Sequence, residues 1–208
     1  MYYPIYLNLK DRRVVVVGGG EVAERKVESL LGSGALITVI SPDVTPGLAS
    51  LAQSNQVELR RRIYTPGDCT GATLVFSATD DSSLSAKVFE DGTTARALVN
   101  SADQPALCDF IMPAVVRRGD IAIAISTGGT SPGLAARLRR KIARIIGPEY
   151  AKLAAFLSEA RPEIRRLIPD QARRKAVQYR ILDSDIMDRL KRNDRAGAKR
   201  RLKEIIES

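Results

Sequence analysis

Residues 14–26, VVVVGGGEVAERK, run four valines into three glycines and then into a segment with apolar residues at helical spacing. A valine run without alternation reads as a strand buried on both faces. Gly18, Gly20 and Ala23 fit G-x-G-x-x-A between that strand and the helix. Each small residue has a physical use. Gly18 permits a tight turn, Gly20 lets a pyrophosphate approach the backbone, and Ala23 lets the helix pack close to a sheet. The helix start offers free N–H groups and partial positive charge to phosphates. A glycine-rich turn with no ligand satisfies the same letters, so the flanking pattern has to decide.

That pattern alternates. Residues 35–41 (ALITVIS) read as a second strand, stopped by Pro42, and 47–55 as a short helix. Residues 57–64 form a third, more exposed strand and 72–79 a fourth. Residues 81–95 are a helix opened by Asp81 or Ser82, and 96–102 a fifth strand. Parallel strands need crossovers, so this order implies an α/β fold. Its first part, residues 1–113, is a Rossmann-like parallel sheet with helices on both faces. The pattern changes at 110–127, where two strands are joined by RRGD with no helix between them, which makes an antiparallel β-hairpin. A glycine turn follows, then an amphipathic helix with Pro132 in its first turn; hairpin and helix occupy 114–147. Residues 148–208 read as an all-helical C-terminal region, broken near Pro162, Pro169 and Gly197.

Composition removes whole classes of chemistry. The chain has no histidine, so a Ser–His–Asp triad, an HExxH zinc helix and an imidazole base are all excluded. Its two cysteines, Cys69 and Cys108, form no CxxC and demand neither a disulfide nor a zinc site. No apolar run reaches the length of about 18 residues needed to span a membrane. The start MYYPIYLNLKDRR has no secretory pattern, so a cytoplasmic location is expected. Residues 137–208 carry 21 Lys/Arg against 10 Asp/Glu, a basic tail suited to a polyanion or to solvated helices. It lacks interleaved aromatics, so no nucleic-acid partner is expected.

Three stretches hold candidate site residues. The second strand ends ISPD, with Ser41 where an acid usually holds the ribose and Asp43 shortly beyond. No Arg or Lys lies between residues 27 and 59 to meet a 2′-phosphate, which favours NAD over NADP. Asp103 lies in the loop after the fifth strand, at the sheet edge where ligands bind; by position alone a lone loop aspartate is usually a turn or cap residue. The stretch STGGTSPG (126–133) is a candidate anion cradle, or simply a helix cap with Thr130 or Ser131 at the N-cap.

VVVVGGGEVAERK, ISPD, ATDD, VNSADQPALCDFIMPA and ISTGGTSPGLAARLRRK, in this order and spacing, resemble the siroheme synthase N-terminal family across residues 1 to about 147. Its members are precorrin-2 dehydrogenases, some of which are also sirohydrochlorin ferrochelatases. The resemblance implies loss of a hydride to NAD and of a proton from precorrin-2, an octacarboxylate tetrapyrrole. It assigns the essential aspartate to Asp103, which would also serve a chelatase; no other metal ligand is fixed. It assigns NAD contacts to Glu21, Val22, Pro42 and Asp43, largely through backbone, beside Gly18, Gly19, Gly20 and Ala23, with Thr79 and Asp80 of ATDD. Substrate contacts fall on Asn100, Thr127, Gly128, Gly129, Thr130 and Ser131. The resemblance further implies a homodimer, with 114–147 as the dimerisation segment, and the stand-alone form without a methyltransferase half. Two alternatives stand beside dehydrogenation: Fe²⁺ insertion into sirohydrochlorin, and a non-catalytic NAD-sensing domain, which would leave FIMPA and TGGTSP unexplained.

Overall fold

The computed structural model describes residues 2–102 and 104–207. The valine run becomes β1 (Arg13–Val17), and Val14 to Val17 are at most 1% exposed. Its side chains alternate between two apolar layers. Val14 and Val16 join Phe76 and Leu48, while Val15 and Val17 join Val75, Val88 and Val99. A strand packed on both faces has no need of polar alternation.

α1 (Glu21–Leu30) follows, then β2 (Leu36–Ile40), α2 (Pro46–Gln53), β3 (Glu58–Arg60), β4 (Leu74–Ser77), α3 (Ser82–Thr94) and β5 (Leu98–Ser101). The strands form a parallel sheet in the order β3-β2-β1-β4-β5. The chain therefore leaves β1 toward one edge, returns past it, and continues toward the other. The crevice at that reversal, outside the carboxyl ends of β1 and β4, is where open α/β sheets bind ligands. Ala23, Val27 and Leu30 carry α1 onto the sheet, and Asp81 caps α3 by accepting from Ser83 and Leu84 N–H.

These elements fall in a first compact unit, residues 1–111; residues 112–208 form a second. The second opens with the hairpin β6 (Ala114–Arg118) and β7 (Ile121–Ile125), antiparallel as the sequence requires. α4 (Pro132–Ile145) starts at Ser131, whose hydroxyl accepts from Leu134 N–H. Arg118 ties hairpin to helix by donating to the Ala143 and Ile146 carbonyls, where a cation suits the helix end. α5 (Glu149–Leu167), α6 (Gln171–Leu182), α7 (Ile186–Lys191) and α8 (Arg195–Glu207) close on a core including Phe156, Ile164, Ile181, Ile186 and Leu202.

Three sequence expectations are corrected. α5 runs through Pro162, because Leu153, Phe156, Ala160 and Ile164 bury one face on both sides of it. That packing outweighs a proline penalty of about 3 kcal/mol. Gly197 lies inside the first turn of α8, where its N–H donates to the Asp194 carboxylate; it helps to start the helix. β3 stops at Arg60, short of the expected strand end at 64. Arg62 turns instead onto Asp68, and Tyr64 donates to Asp91.

Candidate cofactor site

The three glycines meet three different constraints. Gly18 has φ +118°, and a Cβ there would collide with the Ala78 carbonyl at the end of β4. Gly19 passes beneath the turn after β2. A Cβ on it would strike the Asp43 carbonyl, while its own carbonyl accepts from Thr45 N–H at 2.9 Å. At Gly20 the situation reverses. It has an ordinary extended backbone (φ −81°), and no described atom beyond its chain neighbours lies within 4 Å of where a Cβ would stand. No contact among the described residues requires glycine there, and its missing side chain leaves open space above the helix start.

Gly20 is also the N-cap of α1, and no side chain caps that helix. The first-turn N–H groups thus point into a cleft of about 460 Å³. Gly18, Gly19, Gly20, Glu21, Val22, Pro42, Asp43, Thr79 and Asp80 all line it. Ala23 does not; it is fully buried under α1. The donor set fits a dinucleotide pyrophosphate: free backbone N–H groups, a helix start and space at the second motif glycine.

Ser41 explains the absence of an acid at the ribose position. Its hydroxyl bends back to donate to the Asp43 carbonyl at 2.7 Å and holds the ISPD turn over Gly19. Its N–H reaches the Arg60 carbonyl, which brings β3 to the same corner. Arg60 is bonded to Glu58, and Arg62 forms two bonds to Asp68. The side chains of Arg60 and Arg62 are therefore engaged with carboxylates, and Arg61 is exposed.

Sequence reasoning missed Ile63 and Tyr64, which line the cleft from the loop after β3. Ile63 is 72% exposed, an apolar side chain on an open wall. Tyr64 is fixed by donating to Asp91 and by contact with Cys69 Sγ at 3.3 Å. Burial and these two bonds push its phenol upward, so it stays protonated. Asp91 is held below the ordinary carboxylate range. Burial works against this, but bonds from Tyr64 and from the Gly67 and Cys69 N–H groups outweigh it. A strand read as continuing to residue 64 hid these wall residues.

Asp103 lies outside the described residues. Its loop is anchored on both sides. Ala102 N–H donates to the Ser77 carbonyl, and Asp109 pairs with the Val99 backbone in both directions. Asn100 is 6% exposed; its carboxamide accepts from Lys26 and donates to the Phe110 carbonyl. Thr127, Gly128, Gly129, Thr130 and Ser131 lie in the second unit, on the turn between β7 and α4. Thr127 Oγ1 donates to the Ser131 carbonyl and accepts its N–H, and Thr130 donates to the Thr127 carbonyl. Among the described residues, no group of three or more Cys, Asp or Glu is arranged to hold a metal, and no helix is long and apolar enough to cross a membrane.

Comparison with known proteins agrees with this geometry. Residues 5–114 match the NAD(P)-binding family NAD_binding_7. Residues 118–145 match the sirohaem biosynthesis protein central family, and 149–206 the sirohaem synthase dimerisation region. The chain belongs to the siroheme synthase N-terminal family. It is 39% identical to the siroheme synthase of Pseudomonas fluorescens SBW25 over 90% of this chain and 40% of that one. It is 37% identical to that of Thioalkalivibrio sulfidiphilus over 100% of this chain and 42% of that one. This siroheme synthase family chain thus spans about two fifths of the length of the curated relatives it matches. Among solved structures, SirC, a precorrin-2 dehydrogenase, superposes with TM-score 0.78 at 28% identity, covering 99% of both chains.

Proposed function

We propose that this chain oxidises precorrin-2 to sirohydrochlorin with NAD in siroheme biosynthesis. The observation that carries the reading is the open space at Gly20 above the uncapped start of α1, in a family chain that superposes on a precorrin-2 dehydrogenase over nearly its whole length. NAD, when bound, supplies the hydride acceptor. The N–H groups of Glu21 and Val22 hold the pyrophosphate, and Ala23 lets α1 pack close to the sheet. The ISPD turn meets the ribose through Pro42 and Asp43, and Thr79 and Asp80 close the opposite wall. The absence of Arg and Lys between residues 27 and 59 supports NAD over its 2′-phosphate form.

Removing a hydride from carbon also requires loss of a proton, and the chain has no imidazole to take it. We assign that proton to the Asp103 carboxylate, supported by the family resemblance and by the anchored loop around it. Thr127, Gly128, Gly129, Thr130 and Ser131 are assigned to substrate carboxylates, with Asn100 acting through the Asp103 loop. The working form is a homodimer, supported by the match of 149–206 to a dimerisation region.

The test is an anaerobic assay of the purified chain with precorrin-2 and NAD⁺. NADH and sirohydrochlorin should form together; absence of both with folded protein would refute the dehydrogenase. Asp103→Ala should keep NAD affinity and lose about 100-fold or more in kcat, within the range of a general base. Turnover of that variant at the wild-type rate would remove Asp103 from the mechanism. Fe²⁺ added after oxidation reports any metal insertion.

A further inference from the structure

Lys26 closes the VVVVGGGEVAERK stretch, and the dehydrogenase reading leaves it without a role. It lies on the sheet-facing side of α1, past the turn that meets the cofactor. Helical side chains lean toward the helix N-terminus, which carries a long one back toward the carboxyl edge of the sheet. There Lys26 Nζ donates to Asn100 Oδ1 at 3.0 Å and stands 5.6 Å from the centre of the Phe76 ring. Phe76 and Asn100 are register partners on β4 and β5, so their side chains share the face under α1. Phe110 completes the group. Its ring meets Phe76 edge-on at 5.5 Å, and its carbonyl accepts from Asn100 Nδ2 at 2.8 Å.

The arrangement closes a loop. Asn100 precedes the 102–109 segment and Phe110 follows it. The Asn100 carboxamide joins the two ends beside the Val99–Asp109 pair, and Lys26 fixes which way that carboxamide faces. Cys108, within the loop, bonds to Asn100 Nδ2, the Ser101 N–H and carbonyl, and the Gln104 carbonyl. We propose that Lys26 is a positioning residue. Its ammonium, seated on Phe76 and bonded to Asn100, clamps the loop that bears Asp103.

The assignment to catalysis rests on the dehydrogenase reading; the clamp itself does not. Cys108 provides the independent readout. The other cysteine, Cys69, is fully buried, and its thiol is pushed up to about 11, chiefly by burial. Alkylation of the folded chain by a maleimide therefore reports on Cys108. Lys26→Met removes the donor while keeping the length of the side chain. It should raise the Cys108 labelling rate about tenfold, a population shift of about 1.4 kcal/mol, and Lys26→Arg should restore it. In turnover, Lys26→Met should lower kcat about tenfold and leave KM for NAD within about twofold. A merely structural side chain would not produce that split together with Arg rescue. If the Met variant is unfolded by circular dichroism, Lys26→Gln replaces it in both measurements. Unchanged labelling overturns the clamp, even if kcat falls, because Lys26 then acts on the reaction without the loop. Increased labelling with unchanged kcat overturns the positioning role. Increased labelling in a chain whose wild type produces no NADH keeps the clamp and refutes the dehydrogenase instead.

Discussion

At the scale of single residues, neighbouring glycines separate folding from binding. Gly18→Ala forces a side chain into a left-handed backbone position and onto the Ala78 carbonyl, so both sterics and φ oppose it. It should cost about 2–3 kcal/mol, read as a lowered midpoint in urea. Gly20→Val meets neither obstacle. It should fold with a Tm near wild type and weaken NAD binding by more than about tenfold, by calorimetry. Equal NAD affinity would remove the pyrophosphate from that space. The motif identified Gly18, Gly20 and Ala23 because their constraints are shared by this class of turn. It was silent on Gly19, whose constraint comes from a turn beyond the next strand. It was silent on Lys26 for the same reason: the partner, Asn100, is distant in sequence and adjacent only across the sheet.

At the scale of elements, strands and helices were legible because their signals are local. Valine runs, the Asp81 cap and the RRGD turn are each contained in a few residues. The connection from β3 to β4 was not, because irregular side-chain bonds organise it: Arg13 donates to the Asp68 and Thr70 carbonyls, Asp91 accepts from Tyr64 and the Gly67 N–H, and Asp68 gathers the turn itself. Asp68 is 7% exposed and accepts from Arg62, Thr65 N–H and Thr65 Oγ1. Arg62 first, and then the Thr65 bonds, hold its carboxyl at about 2, below the ordinary 3.8. A carboxyl depressed in the folded state contributes stability above its unfolded value and loses it as pH falls through the folded one. The shift corresponds to about 2 kcal/mol, an upper figure because Arg62 is partly exposed. Asp68→Asn should therefore lower the unfolding free energy by up to that amount at pH 7. The difference from wild type should shrink between about pH 4 and pH 2. A difference independent of pH would mean that the carboxylate charge is not what holds the loop. Because Ile63 and Tyr64 belong to the same connection, the NAD affinity of the variant should fall as well.

At the scale of the whole molecule, the basic balance of residues 137–208 was legible in the sequence, but its distribution was not. Several tail cations are paired within the helices, as Arg189 with Asp185 and Arg195 with Glu159. α4, by contrast, shows Arg137, Arg139, Arg140, Lys141 and Arg144 to solvent. The same helix carries an apolar stripe, Leu134, Leu138 and Ile145, at 48%, 37% and 63% exposure, and buries only Ala135. The hairpin beside it buries only Val116. A two-stranded sheet with so little core is marginal in water, and its open edges invite pairing. We propose that a second copy of the chain covers hairpin and stripe, the segment that the sequence reading assigns to dimerisation, in competition with the 149–206 region that the family match names. The helices of 149–206 have their own closed core, with Tyr179 and Leu182 exposed on their surface. Two substitutions distinguish the surfaces. Leu138→Glu places a charge in the stripe and should reduce the mass in sedimentation equilibrium from twice 22.7 kDa to that of one chain. Leu182→Glu should leave the dimer intact. The opposite result would move the interface to the helical region, and a wild-type chain sedimenting at 22.7 kDa would remove the dimer altogether.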